Sequence, residues 1–209
     1  MSDARIEHLE THGTFSLDGG TWEVDNNIWL VGNDDEVLVI DPAHDADAVV
    51  TAVGERNVLG ILLTHGHDDH IRSAVETARK LDAHLYLHPA DHMLWEAVHE
   101  TLPDFELADQ AEFVVAGTPL TVLHTPGHSP GSVSVYAPAL GAVFTGDTLF
   151  QGGPGATGRS YSDFPTIVDS ISKSLLTLPG ETVVYPGHGA QTTVADEAPH
   201  VQEWIDRGH

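Results

Sequence analysis

Apolar residues occur along this chain in short runs, which polar or glycine-containing turns separate. The run at Val58–Leu63 has no polar alternation, which is typical of a strand covered on both faces. Between residues 71 and 81, apolar side chains recur at helical spacing. The pattern predicts strands at Trp22–Val24, Ile28–Val31, Val37–Ile40, Val58–Leu63, Leu85–Leu87, Phe113–Val115, Leu120–Leu123, Ser132–Tyr136, Ala142–Thr145 and Thr182–Tyr185. It predicts helices at Ile71–Leu81, Asp91–His99, Thr166–Leu178 and Val194–Arg207.

The order of these elements predicts an α/β fold, because strands are followed by a helix and a strand and the order then repeats. Strands that are apolar throughout need helices on their outer side. We therefore expect two packed sheets with helices on both outer faces, a four-layer αββα sandwich. A glycine-rich loop is expected at Gln151–Tyr161. Since no linker or low-complexity tract interrupts the pattern, residues 1–209 are expected to form a single domain.

Composition narrows the classes of protein that fit this pattern. The chain has 15 histidines and no cysteine, which excludes disulfides, thiolate metal sites and a cysteine nucleophile. Eight Lys and Arg against 32 Asp and Glu give a net charge of −24, which disfavours nucleic acid and anionic membranes as partners. The chain shows neither a signal-peptide pattern nor an apolar run approaching the roughly 20 residues of a membrane helix. A cytoplasmic monomer or homodimer is expected.

Four predicted strands end in histidine or aspartate beside glycine. The carboxyl ends of strands are where open α/β sheets gather their binding sites, so these segments are expected to meet. The four segments are Thr64-His65-Gly66-His67-Asp68-Asp69-His70, His124-Thr125-Pro126-Gly127-His128, Gly146-Asp147 and Pro186-Gly187-His188-Gly189.

The residue types at these strand ends predict a centre for two divalent metal ions. His65 and His67 lie two residues apart in extended chain, so both imidazoles can face one position. The turn that follows can direct further ligands at a second position. Ligands without sulfur suit Zn²⁺ first, and also Fe or Mn²⁺. The predicted ligands are His65, His67 and His128 for one ion, Asp69, His70 and His188 for the other, and Asp147 as a bridge, with Asp69 and Asp147 also predicted to be catalytic.

With its ligands in this order, the chain resembles the metallo-β-lactamase superfamily. The resemblance runs from Asp41, at the end of an early strand, to the segment around His188. It implies the αββα sandwich of that superfamily and a role for Asp41 in orienting a ligand by a hydrogen bond. Three segments further resemble short glyoxalase II-like hydrolases: Thr64–His70, His124–Ser132 and Thr145–Phe150. The stretch Gly152–Phe164 is similar to an actinobacterial subgroup whose thiol is mycothiol rather than glutathione.

The resemblance implies hydrolysis of a hydroxyacyl or acyl thioester of a small thiol by a hydroxide that bridges the two metals. Such a thiol has a pKa of about 8.5, so its thiolate leaves without a dedicated general acid. Arg159 and Tyr161, on the loop after Asp147, are the candidates for substrate contacts. Two alternatives use the same ligand frame. One is a mononuclear iron persulfide dioxygenase, which the Gly-Arg and Asp-Phe pairs within Gly158–Phe164 favour, and the other is a lactone hydrolase in which Tyr161 stabilises the oxyanion.

Two short motifs are assigned no chemistry. Residues 153–158 match G-x-G-x-x-G but neither follow a strand directly nor open an apolar helix. Residues 127–131 match the G-x-S-x-G elbow, but Pro130 lacks the N–H that must follow the nucleophile, which excludes Ser129. His124 is predicted to orient the loop that carries His128. A surface or structural place is expected for His84, His88, His92 and His99, whereas His44 could approach the mouth of the site.

Overall fold

Two six-stranded mixed sheets form the middle of the fold in the computed structural model, which describes residues 4–208. In chain order the strands are β1 (Arg5–Leu17), β2 (Gly20–Gly32), β3 (Glu36–Ile40), β4 (Asn57–Leu62), β5 (Leu85–Leu87), β6 (Phe105–Glu106), β7 (Glu112–Val115), β8 (Thr118–His124), β9 (Val133–Ala137), β10 (Ala142–Gly146), β11 (Leu149–Phe150), β12 (Gly153–Pro154), β13 (Val183–Pro186) and β14 (Thr192–Thr193). The first sheet has the order β1-β2-β3-β4-β5-β6 and the second β14-β13-β10-β9-β8-β7. β11 and β12 pair as a separate ribbon.

Short helices cover the outer faces of both sheets. The α-helices are α1 (Ala46–Val53), α2 (Asp68–Ile71), α3 (Ala74–Leu81), α4 (His92–Trp95), α5 (Phe164–Ser170), α6 (Val194–Glu197) and α7 (Val201–Arg207). Turns of 3₁₀-helix lie at Pro89–Asp91, Pro138–Leu140 and Ala198–His200, and a π-helical turn lies at Ile171–Leu175. Over the part of the chain that the structure describes, no helix combines the length and the apolar character needed to cross a bilayer.

Three apolar clusters separate the four layers. Strand β3 is apolar at successive positions because both of its faces are buried. Val37 and Val39 pack against the outer helices, whereas Leu38 and Ile40 face the second sheet. Because successive strand residues point to opposite faces, both faces of β3 must be apolar. A third cluster packs the outer face of the second sheet against α5, the π-helical turn and α7. The four-layer αββα prediction is confirmed.

The N-terminal hairpin differs from the sequence prediction. Trp22–Val24 and Ile28–Val31 are not two strands with a turn between them, because β2 runs unbroken through both and pairs along its whole length with β1. The pattern missed β1, whose positions are mostly polar. Asp18 and Gly19 join the two strands with φ of +51° and +77°, as a two-residue hairpin turn requires. This Asp-Gly pair is the signal that could have found the hairpin.

Several predicted helices are shorter or divided. The helix predicted at Ile71–Leu81 begins only at Ala74 as α3, since Ile71 is the last residue of α2 and Ser73, between the two helices, donates its hydroxyl to the Pro42 carbonyl. Val194–Arg207 is divided by a 3₁₀ turn that contains Pro199, which has no N–H to continue the helical hydrogen bonds. Only α4 and a 3₁₀ turn occupy the region predicted as Asp91–His99. α5 begins before the predicted residue because the Asp163 carboxylate caps it, accepting from Thr166 N at 2.9 Å. The sequence pattern also missed α1, β6, β11, β12 and β14, and the predicted loop Gln151–Tyr161 is wrong at Gly153–Pro154, which pairs with β11.

Parallel pairing places the chemistry-bearing strand ends at one edge. β3, β4 and β5 run parallel in the first sheet, and β10 and β13 run parallel in the second. Asn27 joins the two sheets at this edge, since its N–H donates to the Gly187 carbonyl at 2.7 Å and its Nδ2 to the Pro186 carbonyl at 3.1 Å. The ends of β4, β10 and β13 therefore meet between the sheets.

Candidate metal centre

The strand ends bring all seven predicted metal ligands together at the floor of one cavity. His65 and His70 are fully buried beneath it, and the other five side chains reach its lining: His67, Asp69, His128, Asp147 and His188. Within these seven residues, two groups of three could each hold a metal ion. They are the groups that the sequence spacing assigned to two separate ions.

The first group consists of three imidazoles, from His65, His67 and His128. Nδ1 of His67 lies 3.1 Å from Nε2 of His65 and 2.9 Å from Nε2 of His128. Three ring nitrogens therefore converge on one point. They come from two loops, one after β4 and one after β8.

The second group combines a carboxylate with two imidazoles, from Asp69, His70 and His188. Nε2 of His188 lies 3.3 Å from Nε2 of His70 and 3.3 Å from Oδ2 of Asp69. Asp147 lies between the groups, because its Oδ2 is 3.5 Å from Nε2 of His128 and 3.4 Å from Nε2 of His188. Asp147 thus lies next to imidazoles of both groups, and its role as a bridge between two ions stays a prediction.

Hydrogen bonds at the outer ring nitrogens fix which nitrogen faces the centre. Four of the five histidines turn Nδ1 towards an oxygen that accepts its proton, so Nε2 is the nitrogen that faces the centre. For His65 this holds because Thr64 already donates its hydroxyl proton to Asp41 at 2.6 Å. The four contacts are His65 to Thr64 Oγ1 at 3.1 Å, His70 to Asp41 Oδ2 at 3.0 Å, His128 to the Ala156 carbonyl at 2.9 Å and His188 to the Asp25 carbonyl at 2.6 Å.

Buried acceptors without a donor show what this arrangement needs. Among the described residues, Oδ1 of Asp69 and Oδ1 of Asp147 are buried with no hydrogen-bond partner. An unsatisfied buried carboxylate oxygen is costly, and a cation between the converging lone pairs would satisfy several acceptors at once. The residues present therefore fit a pair of divalent metal ions.

The two groups differ in their affinity for protons. Burial lowers the pKa of His67 to about 3, and it lowers the pKa of His65 well below the ordinary value, so both stay neutral. Burial acts in the same direction on His188, but the carboxylates of Asp147 and Asp69 outweigh it and raise the pKa of His188 to about 10. Burial is likewise outweighed at His70, where Asp69 and Asp147 raise the pKa well above its ordinary value. A metal ion in the second group must therefore displace protons.

Asp41 holds the ligand His70 from outside the centre. Its Oδ1 accepts from Thr64 N at 2.7 Å, and its Oδ2 accepts from Thr64 Oγ1 and from Nδ1 of His70. Both oxygens are occupied in this way, so Asp41 orients His70 instead of offering itself as a ligand. Its backbone has φ of +52°, a conformation that Asp and Asn tolerate better than most residues. The contact matches the place that the resemblance implied for Asp41.

Asn26 is a supporting residue that the sequence analysis missed. Its Nδ2 donates to Oδ2 of Asp69 at 3.0 Å, and its Oδ1 lies 2.7 Å from Nε2 of His44. His44 therefore contacts the centre indirectly, through Asn26. The pattern read Asn26 as part of a turn, whereas it is a buried position in the middle of β2.

The cavity above the centre has a volume of about 530 Å³ and two walls. The β1–β2 hairpin supplies an apolar wall with Phe15, Trp22 and Val24, together with the acidic side chains of Glu10 and Asp25. The loop after β12 supplies the opposite wall. These dimensions suit a small organic molecule.

The structure brings Arg159 to this cavity and leaves Tyr161 outside its lining. The Arg159 guanidinium carbon lies 3.8 Å from the centre of the Trp22 ring and 5.4 Å from that of Phe15, in cation–π geometry. The side chain of Tyr161 is exposed, and its backbone φ is +70°. Of the two predicted substrate contacts, Arg159 alone is placed where it can meet a molecule in the cavity.

Hydrogen bonds to the loop after β12 and to α2 anchor the hairpin over the centre. Asp18, at its turn, accepts from the N–H and the hydroxyl of Ser160 at 3.0 and 2.6 Å. Asp68 accepts from the N–H of Ser16 at 2.9 Å and pairs with Arg72. The Asp68 carboxylate therefore binds the hairpin to α2.

His124 and Ser129 lie on the two sides of the loop that carries His128. Nε2 of His124 lies 2.9 Å from the Pro130 carbonyl, which is the contact expected of a residue that orients this loop. The His88 ring stacks on the His124 ring, with ring centres 4.2 Å apart. Ser129 is fully buried and donates its hydroxyl to Asp91 at 2.6 Å, in agreement with its exclusion as a nucleophile.

Comparison with known proteins agrees with this geometry. The family model described as the metallo-β-lactamase superfamily matches residues 21–188. The probable metallo-hydrolase YqgX of Bacillus subtilis is 36% identical over 82% of this chain and 88% of its own length. The hydroxyacylglutathione hydrolase GloC of Haemophilus influenzae is 31% identical over 82% of this chain and 89% of its own. A solved structure of TTHA1623 in a di-iron-bound form superposes with a TM-score of 0.75 at 34% identity, covering 84% of this chain and 93% of that one.

The αββα sandwich and its histidine and aspartate cluster define a metal-dependent hydrolase. The chain belongs to the metallo-β-lactamase superfamily, and its candidate centre occupies the strand ends within the matched region.

Proposed function

We propose that this protein is a dinuclear-metal hydrolase that cleaves the thioester of a small thiol. One observation carries the proposal: four Nε2 lone pairs, Nδ1 of His67 and two carboxylates converge at the floor of a substrate-sized cavity. The similarity to GloC, whose name specifies a hydroxyacylglutathione hydrolase, supports the thioester class.

The residues of the centre divide into two binding positions. One ion would be held by His65, His67 and His128, the other by Asp69, His70 and His188, with Asp147 between them. When bound, two divalent cations supply Lewis-acid activation of a carbonyl group and of water. The oxygen and nitrogen donors suit zinc, which we propose, and also iron or manganese.

The remaining groups in the cavity act on the substrate itself. Asp69 and Asp147 are the proposed catalytic carboxylates, because both side chains reach the lining of the cavity and can orient a water molecule over the centre. The face of the Arg159 guanidinium packs on the Trp22 ring. Its N–H groups point along the edge of that plane, so they can donate to a carboxylate or an amide carbonyl of the substrate. A thiolate needs no protonation to depart, so hydrolysis requires no further acid from the cavity walls.

The test combines metal analysis with a substrate panel. Zinc-loaded protein is assayed with S-lactoyl, S-formyl and S-acetyl esters of glutathione and of mycothiol. We expect hydrolysis of at least one thioester at more than 100 times the rate given by Asp147→Asn at the same protein concentration. Full zinc occupancy without turnover of any thioester would overturn the proposal.

The iron persulfide dioxygenase is the second candidate, because the Arg159 of its Gly-Arg pair does line the cavity. Oxygen uptake with glutathione persulfide and a single iron per chain would favour it over the hydrolase. The lactone hydrolase loses its specific support, since Tyr161 lies outside the cavity lining.

A further inference from the structure

A buried carboxylate outside the metal centre contacts both loops that carry the three-histidine group. Asp91 is fully buried, at the end of the 3₁₀ turn that precedes α4. Its Oδ2 accepts from the N–H of Gly66 at 2.8 Å and from the hydroxyl of Ser129 at 2.6 Å. Its Oδ1 accepts from the N–H of Gly131 at 2.5 Å. Gly66 lies between the first two histidine ligands, and Ser129 directly follows the third.

The two glycines are packed tightly against this carboxylate. A Cβ built on Gly131 would lie 2.7 Å from Cγ of Asp91, and one built on Gly66 would lie 3.0 Å from Cβ of Asp91 and 2.9 Å from Cβ of Leu94. A Cβ on Gly131 would overlap Asp91, and a Cβ on Gly66 would overlap Leu94 and crowd Asp91, so the absence of a side chain at both glycines allows the two loops to approach Asp91 this closely. Asp91 therefore fixes the separation of the two loops as well as accepting their hydrogen bonds.

The second ligand group depends on different residues. Asn26 holds Asp69, the Asp41 carboxylate holds His70, and the Asp25 carbonyl holds His188. None of the hydrogen bonds found for Asp91 in the described chain reaches this group. The contacts of Asp91 are thus confined to one half of the centre.

We propose that Asp91 is a positioning residue that sets the distance between the His65–His67 loop and the His128 loop, and so the metal affinity of the three-histidine group alone. The proposal rests on the two-metal centre of the proposed function. Partners of this kind, which touch ligands without binding the metal, typically change metal affinity 10- to 100-fold when they are removed.

Asp91→Asn replaces the carboxylate with an amide of almost the same volume, so it tests whether both acceptor oxygens are needed. Its amide offers one acceptor oxygen, whereas two backbone N–H groups and a hydroxyl converge on the carboxylate. The Ser129 hydroxyl can rotate and accept, but the N–H groups of Gly66 and Gly131 have fixed directions. In either orientation of the amide, one of these N–H groups loses its acceptor and one loop moves.

The experiment measures zinc affinity by competition with a chromogenic chelator in two backgrounds. His188→Ala leaves the three-histidine group as the intact position, and His128→Ala leaves the Asp69, His70 and His188 group. We expect Asp91→Asn to raise the zinc Kd at least tenfold in the His188→Ala background and less than twofold in the His128→Ala background. An equal effect in both backgrounds, or none in either, overturns the assignment of Asp91.

Two further variants separate positioning from general stability. Asp104→Asn is the matched control, because Asp104 also accepts a backbone N–H, from Leu85 at 2.8 Å, but contacts neither ligand loop. It should leave both zinc affinities unchanged. If Asp91→Asn does not fold, Ser129→Ala replaces it: a threefold or larger rise in Kd confined to the His188→Ala background supports the proposal, and unchanged affinity contradicts it. Parent protein that binds no zinc would instead contradict the proposed function.

Discussion

Nε2 of His188 lies 3.4 Å from Oδ2 of Asp147, so the carboxylate stabilises a proton on this imidazole. Burial opposes that proton, but Asp147 and Asp69 raise the pKa of His188 to about 10. The proton and a metal ion compete for the same nitrogen, since a histidine must be neutral to bind a metal. As the pH rises, metal-free protein should therefore become less stable to unfolding, whereas metal binding should become stronger.

Metal-free protein is expected to lose stability as the pH rises from 6.5 to about 10. Below pH 6.5, His188 carries its proton in both the folded and the unfolded chain, and its ion pairs stabilise the folded state fully. Between pH 6.5 and 10 the unfolded chain releases this proton while the folded chain retains it, so the free energy of unfolding falls. Urea unfolding of EDTA-treated protein at pH 6.5, 8 and 9.5 measures this slope. His188→Gln should show a smaller slope, and identical slopes in the two proteins would contradict the account.

Asp41→Asn is expected to lower hydrolytic activity about 10- to 100-fold, the range found for residues that orient metal ligands. Three donors face the Asp41 carboxylate, from Thr64 and His70, and an amide cannot accept from all of them. Asparagine tolerates the left-handed backbone of position 41, so the loss should not arise from backbone strain. Steady-state assays with metal analysis check this prediction. Unchanged activity at full occupancy would show that His70 needs no such partner.

Arg159→Gln is expected to raise KM about tenfold with kcat within about twofold, because losing a hydrogen bond from a charged group to a remote part of the substrate costs about 1.5 kcal/mol, which is close to a factor of ten. The comparison variant is Tyr161→Phe, whose side chain is exposed and outside the cavity lining. It should leave both constants unchanged. A larger effect at Tyr161 than at Arg159 would mean that the loop closes differently around the substrate.

The clustering of the predicted ligands could be expected from the sequence because their segments follow the apolar strands β4, β8, β10 and β13. Five of the seven lie beside glycine, and Asp69 and His70 lie in α2, directly after the β4 segment. His65 and His67 lie two residues apart, so their proximity follows from the sequence alone. Parallel strands bring their carboxyl ends to one edge of a sheet, so the segments that follow β4, β10 and β13 are expected to meet there. The supporting residues follow from contacts that no local pattern encodes. Asn26 meets Asp69 across 43 positions of sequence, and Asp91 meets Ser129 across 38. Each looked like an ordinary turn or helix residue because its partner is set by the packing of the sheets.

The hairpin was missed for a related reason. β1 carries mostly polar residues on both faces and is held by its pairing with β2 and by the contacts of Asp18 and Asp68. Strand prediction from apolar alternation requires one buried face, and β1 lacks a clear one. Trp22 and Phe15 became recognisable as a cavity wall only once this hairpin was placed over the centre.

The account depends most directly on the number of metal ions that the centre binds. Elemental analysis of zinc-reconstituted protein after gel filtration should give two zinc ions per chain, one in His128→Ala and one in His188→Ala. This result would show two positions that each depend on their own histidine, as the two converging groups require. Fewer than two zinc ions in the parent protein, or two retained in either variant, would contradict the two-metal centre.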